Sequence, residues 1–292
     1  MSRGHIGLNP PKWVGNGVFG QYVRGMAATA ELRFESLGSG CELFAVGPAD
    51  LAAVRAWMVR MHDRLTRFSP DSELSRFNAA AGRWIDLSPE LEALLRGSLA
   101  AYEDSGGLVH AGVLPALLAA GYTRDFAAGP TAASGAPVMC PPLPDMLELQ
   151  GHRARLRPGT SIDLGGIAKG WLADRAAERI GPNALANLGG DLCARGGGPD
   201  GAGWPVGFGT ATVLLRDMGA ATSSTEGRRW GPQLHHLIDP RTGSPAETDL
   251  VLVSALAATG AEAEVLAKAG LLLGREAGAR FLDERSLGSY LR

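Results

Sequence analysis

The 292-residue chain reads as an α+β fold in which helices pack against mixed or antiparallel sheets. Three observations predict it. Short strand-like runs alternate with helical periodicity, several neighbouring runs are joined by tight turns that force antiparallel pairing, and two helical stretches close the sequence.

Residues 31–46 alternate as two strands around Leu37-Gly-Ser-Gly40, the chemistry of a tight hairpin turn. Asp50 then caps a helix whose apolar residues Leu51, Val54, Trp57, Met58, Met61 and Leu65 recur at helical spacing, leaving Arg55, Arg60 and Arg64 for water. The helix stops near Phe68-Ser-Pro70, and residues 72–78 read as a polar turn. Ser88-Pro89-Glu90 supplies a capping hydroxyl, a proline where no amide hydrogen is needed and an acid in the first turn, so another helix starts there. Gly106-Gly107 ends it. Residues 124–144 are mostly Ala, Gly, Pro, Ser and Thr, which reads as a surface excursion or hinge between two packed lobes of one domain spanning 26–292. A strand is expected at 155–163 and a helix at 167–180. Strands follow at 184–188, 204–208, 213–216, 236–238 and 250–256, then helices at 261–273 and 276–284. No repeat of solenoid or propeller length is present.

With 28 basic and 30 acidic residues, a formal charge of -2, the chain has no overall field for nucleic acid or an anionic membrane surface. Cys41, Cys140 and Cys193 are odd in number and far apart, which suits three buried apolar thiols in a reducing compartment. No stretch reaches the roughly 20 apolar residues of a membrane span, and no secretory signal opens the chain, so a cytoplasmic protein is expected. Residues 1–25 lack periodicity and read as a leader, disordered or non-native, before Met26.

The chemistry concentrates in two segments. A strand, then Asp163-Leu-Gly-Gly166, then a helix can hold a pyrophosphate: glycines let backbone amides approach phosphates, a helix start offers unpaired donors, and Lys169 adds a full charge. The same residues serve equally as a structural turn. His235-His236 precedes Leu-Ile-Asp-Pro-Arg-Thr-Gly243, where His236 is a candidate base, although such a pair often has one exposed and one packed member. Asn187-Leu-Gly-Gly-Asp191 reads either as a cleft lining or as a glycine turn between strands.

In order along the chain, 34–46, 68–78, Ser105-Gly-Gly107, Ile162 to Gly170, Ala186 to Asp191, Ala221-Thr-Ser223 and His235 to Gly243 resemble the segments of the ApbE-type FAD:protein FMN transferases, over roughly residues 30–285. The resemblance implies a T-fold-like α+β flavin transferase fold and cleavage of FAD at its pyrophosphate with magnesium, FMN passing to a threonine of a target protein. It implies cofactor contacts from Leu37, Val109, His110, Asp163, Lys169 and Leu237, catalytic positions at His236 and Asp239, and metal positions at the Gly166 carbonyl, Glu264 and Lys268. The chain departs from the family pattern at three places. His110 stands for an acidic residue, Ser223-Ser224 for Ser-Gly, and Glu264 and Lys268 for an Asp and a Thr that ligate metal. An ammonium has donors and no lone pair, so Lys268 cannot ligate. It either replaces the ion, paired with Glu264, or forms an ordinary surface salt bridge with it. Besides transfer, the sequence leaves open a non-catalytic binder of FAD or another adenine nucleotide, and an FAD pyrophosphatase.

Overall fold

The computed structural model describes residues 29–209 and 211–292, so the expected leader at 1–25 lies outside the described residues. A seven-stranded sheet, antiparallel at every pairing, runs β1-β2-β6-β7-β10-β13-β14. Its strands are β1 (Thr29–Ser36), β2 (Ser39–Val46), β6 (Ala184–Leu188), β7 (Asp191–Arg195), β10 (Met218–Ser224), β13 (Leu252–Ala257) and β14 (Gly288–Leu291). A three-stranded sheet joins β3 (Ile85–Asp86), β5 (Arg153–Leu156) and β4 (Leu147–Gln150). Two hairpins complete the set: β8 (Trp204–Phe208) with β9 (Ala211–Leu215), and β11 (Ile238–Asp239) with β12 (Ser244–Pro245). The α+β expectation therefore holds, in its antiparallel form.

Alternation on β2 and β6 explains why the central sheet is covered on both sides. Cys41, Leu43 and Ala45 join the large core beneath the helices, while Phe44 and Leu185 join a second core with Trp204, Val206 and Leu215 from the β8–β9 hairpin. The helical layer on the first face holds α1 (Leu51–Leu65), α6 (Ala168–Ile180) and α7 (Gly260–Leu273), with α6 between the other two. All six apolar positions predicted for α1 are buried, and Asp50 accepts from the Ala53 amide as its cap.

Several expectations are corrected here. Residues 72–78 are not a turn: Ser72 caps α2 (Glu73–Asn78), which buries Leu74 and Phe77. Arg64 is not left to water but pairs with Glu73 at 2.7 Å and Glu90 at 3.2 Å. Glu73 also receives the amide and hydroxyl of Ser88, the cap of α3 (Pro89–Asp104). The strand expected at 155–163 is only the end of β5, because Pro158 cannot donate to a ladder. Cys41 and Cys193 are buried, whereas Cys140 is half-buried, and all three are free thiols.

The remaining helices are α4 (Leu114–Ala119), α5 (Leu143–Met146) and α8 (Arg275–Arg285). Between a 3-10 turn at Phe126–Ala128 and the start of α5, residues 129–142 have no regular structure, and backbone bonds from Thr131 to Gly121, Ser134 to Ala119 and Val138 to Gly243 anchor them. Among the described residues no helix is long and apolar enough to cross a membrane.

Candidate active site

The double-glycine bend forms where Asp163 turns the chain into α6. Its carboxylate accepts from the Gly165 amide at 2.8 Å, a local bond that competes with continuing β structure. No side chain from the preceding turn caps α6; the Ile167 and Ala168 amides bond back to the Leu164 carbonyl instead. Lys169, in that turn, is held by the buried Asp191 carboxylate and lies 3.7 Å from Glu264. Glu264 is almost fully buried and its other oxygen accepts from the Gly170 amide at 2.9 Å.

Helix α7 lies across this bend. The Lys268 ammonium donates to the Gly166 carbonyl at 2.7 Å. Any side chain at Gly166 would occupy the space of that ammonium. The expected i,i+4 pair is therefore corrected: Glu264 turns to Lys169 and the Gly170 amide, and Lys268 turns to the bend.

The bend, Lys169 and Lys268 border a cavity of ≈ 150 Å³ for the centres of water-sized molecules. At 10–15 Å³ per water position, that is room for on the order of ten waters, hence for a sizeable ligand. The bend with Lys169 and Lys268, the segment with His236 and Leu237, and the β1–β2 turn at Leu37 and Gly38 all line it. Leu37 takes φ 57 and Gly38 φ 65, the pair of positive angles a two-residue type I′ hairpin requires. Arg228 fastens that turn by donating to the Leu37 and Gly38 carbonyls at 3.2 and 3.3 Å. Phe68, Tyr122, Phe126 and Trp230 form an aromatic cluster, and the first three line the cavity.

Of the sequence-predicted residues, Leu37, Val109, His110, Asp163, Gly166, Lys169, His236, Leu237 and Lys268 all line this one cavity. Asp239 and Glu264 do not. Asp239 is gripped from its own turn by Arg241, whose backbone amide and guanidinium both donate to it. Asn187 to Asp191 is the glycine turn joining β6 to β7, with Gly189 and Gly190 at positive φ and Asn187 bonded to the Gly190 amide. Only Asp191 reaches toward the site, through Lys169.

The two histidines divide as their pattern allows. His235 is packed, its Nε2 on the Ala246 carbonyl at 3.0 Å and its Nδ1 accepting from the Leu237 amide at 3.3 Å. His236 keeps a buried Nδ1 with no partner. Burial, then the charges of Arg228, Lys268 and Lys169, hold its pKa well below the usual histidine value, so it is neutral at neutral pH. His110 is occupied at both nitrogens: Nδ1 accepts from the Gly112 amide and Nε2 meets the Pro141 carbonyl, both at 2.9 Å. Its ring stands edge-on to Tyr102. It lines the cavity as a packed neutral ring, so it does not replace the acid of the family pattern as a polar contact.

Arg67 and Arg228 were not legible as site residues. The Arg67 side chain is 5% exposed, 2.8 Å from Asp163, and bonded to the Tyr122 carbonyl at 2.7 Å. Its Nε faces Asp163 without hydrogen-bond alignment, so the contact is an ion pair by proximity. Its guanidinium lies over the Phe68 and Tyr122 rings. Among the described residues no cluster of three or more His, Cys, Asp or Glu is arranged to hold a metal.

An antiparallel α+β frame with a cation-lined cleft at a double-glycine helix start defines a protein that handles an anionic nucleotide. The ApbE family model matches residues 26–291, and the chain belongs to the ApbE family. A relative named FAD:protein FMN transferase from Treponema pallidum is 33% identical over 251 residues, 73% of this chain and 68% of that protein. A protein of the same name from Haemophilus influenzae is 24% identical over 82% of this chain and 76% of its own length. Among solved structures, the ApbE protein of Thermotoga maritima superposes with a TM-score of 0.80 at 21% identity, covering 90% of this chain and 94% of that one. The apo flavinyl transferase ApbE of Pseudomonas stutzeri gives 0.75 at 22%, covering 89% and 90%.

Proposed function

We propose that the protein is an FAD:protein FMN transferase that moves the FMN half of FAD to a threonine hydroxyl of a target protein and releases AMP. One observation carries this reading: a single cavity gathers the Gly165-Gly166 bend, the Lys169, Lys268 and Arg228 cations, and a neutral His236 with an unpartnered ring nitrogen. In the reaction, the threonine oxygen forms a bond to the FMN phosphorus as the bond to the bridging oxygen breaks. AMP leaves with the bonding pair, and the hydroxyl proton passes to His236. The cations that weaken His236 as a base in the free protein are the ones phosphate oxygens would neutralise. Its basicity therefore rises when FAD is in place.

Leu37, Val109, His110 and Leu237 supply apolar contact to the nucleotide, and Tyr122 and Phe126 offer faces on which a planar ring stacks. With Arg67 beside it, Asp163 suits a ligand hydroxyl better than a phosphate, which it would repel. Asp239 acts by fixing the turn that carries His236 and Leu237. Three free thiols suit a reducing, cytoplasmic setting.

The magnesium implied by the family resemblance does not fit these donors. The Gly166 carbonyl is engaged by Lys268, Glu264 is engaged by the Gly170 amide, and an ammonium cannot ligate. No step is assigned to a metal.

Incubation with FAD and a library of threonine-bearing peptides, with AMP and flavinylated peptide quantified by mass spectrometry, tests the assignment. Transfer gives AMP only together with a flavin-bearing peptide. AMP without peptide modification points to a pyrophosphatase, and flavin binding with neither product points to a non-catalytic binder.

A further inference from the structure

We propose that the Lys268 ammonium is a built-in cation at the double-glycine bend, holding the ligand's pyrophosphate at the position where the family pattern calls for magnesium. The ligand's identity rests on the transferase reading above; the cation assignment rests on the site itself.

Lys268 projects from α7 onto the Gly166 carbonyl at 2.7 Å, the group expected to face a metal. The space beside Gly166 that a side chain would fill is the space the ammonium occupies. That bond uses one of three N–H donors, leaving two for ligand oxygens on the cavity it lines. Its neighbour Lys169 faces two carboxylates, Asp191 and Glu264, so that charge is largely compensated inside the protein. Lys268 is bonded to a neutral carbonyl, as Arg228 is in the same cavity, so its charge stays available to an anion. Burial lowers its pKa while the fields of Glu264 and Asp163 oppose that shift. Glu264, the remaining acid of the expected metal set, is withdrawn to the Gly170 amide. The exchange is thus coherent: a ligand lost from α7 has become the positive charge itself, and the second acid has been reassigned to hold α6.

Nucleotide binding should then be indifferent to chelators. The experiment titrates FAD, followed by quenching of its fluorescence, into the full chain and into Lys268→Gln and Lys268→Asp, each in EDTA and in magnesium. A parallel series measures melting temperature against magnesium without FAD. Wild type should bind FAD with affinities within about twofold in the two buffers, and its melting temperature should ignore magnesium. Lys268→Gln, which keeps a donor for Gly166 but not the charge, should fold and bind FAD about tenfold more weakly in both buffers. Lys268→Asp should bind FAD only with magnesium, and magnesium alone should raise its melting temperature.

Wild-type binding that collapses in EDTA, magnesium stabilisation of wild type, or undiminished FAD affinity in Lys268→Gln overturns the assignment. If no form binds FAD, the transferase reading fails, and the magnesium melts still decide the cation: stabilisation confined to Lys268→Asp upholds it, stabilisation of wild type or of neither overturns it. Should Lys268→Asp not fold, Lys268→Thr, which also offers an oxygen in place of the ammonium, takes its place in both series.

Discussion

Replacing Gly170 by alanine tests whether the helices that carry the cations are held at a fixed spacing. Gly170 sits in the first turn of α6 against the start of α7. A Cβ built there would lie 2.7 Å from the Gly260 carbonyl carbon and 2.9 Å from the Ala261 Cα, both backbone atoms. The Gly260 carbonyl oxygen is nearer still, and ordinary contact begins at 3.4 Å, so the two helix backbones must part by up to about 1 Å. Alanine favours a helix over glycine by up to about 1 kcal/mol. Overpacking costs about 1–3 kcal/mol, and backbone, unlike a side-chain tip, cannot rotate away. The net expectation is destabilisation of about 1–2 kcal/mol, a fall in melting temperature of roughly 2–8 °C at this size. The Gly170 amide would also shift from Glu264, so FAD affinity should fall alongside stability. Thermal melts and FAD titration read both effects. A melting temperature equal to or above wild type would mean that propensity outweighs the crossing, refuting the close-packed spacing.

Three further outcomes follow from the same contacts. Burial lowers the pKa of His110, His235 and His236 below the ordinary 6.5; the unfolded chain then binds protons that the folded one refuses, so stability is complete above about pH 6.5 and falls below it. Melts from pH 8 to 5 should show that fall, and His110→Gln should make it shallower, with His235 and His236 still contributing; a wild-type profile flat to pH 5 contradicts the histidine environments. Arg67→Met leaves Asp163 without its adjacent cation and should cost about 3 kcal/mol in urea unfolding, whereas a loss below about 0.5 kcal/mol would reduce the pair to a surface contact. Burial raises the Cys41 thiol to about 12 and raises Cys193 too, so alkylation of the native protein followed by mass mapping should find half-buried Cys140 modified first.

Legibility in the sequence followed the strength of local signals. Helices α1 and α3 announced themselves through caps, and α1 and α6 through apolar stripes, because those patterns depend on neighbours within a few residues. Strands β7 and β10 were harder. Asp191–Arg195 and Met218–Ser224 are buried on both faces and built largely of small residues, so no alternation marks them. In the site, the glycine bend and His236 were legible because glycine, histidine and their spacing are local facts. Arg67 reads as one more arginine after an amphipathic helix, and only the return of the chain at Tyr122 and Asp163 gives it a role. The partner of Glu264 was misjudged for the same reason. Helical spacing offered Lys268, while tertiary packing brought Lys169 from a helix 95 residues earlier within 3.7 Å.

The carboxylate of Asp174, inside α6, accepts from the amides of Gly260 and Ala261 at 2.7 and 3.0 Å and so pins the head of α7. With the Gly170–Gly260 crossing beside it, this clasp ties α6 and α7 into one plate. Substrates of different girth would then be accommodated by yielding of the other jaw, the loops bearing Tyr122, Phe126 and His236, while the phosphate anchor stays put. Variation in acceptor preference among engineered forms should accordingly be sought on that jaw, and catalytic competence guarded on the plate.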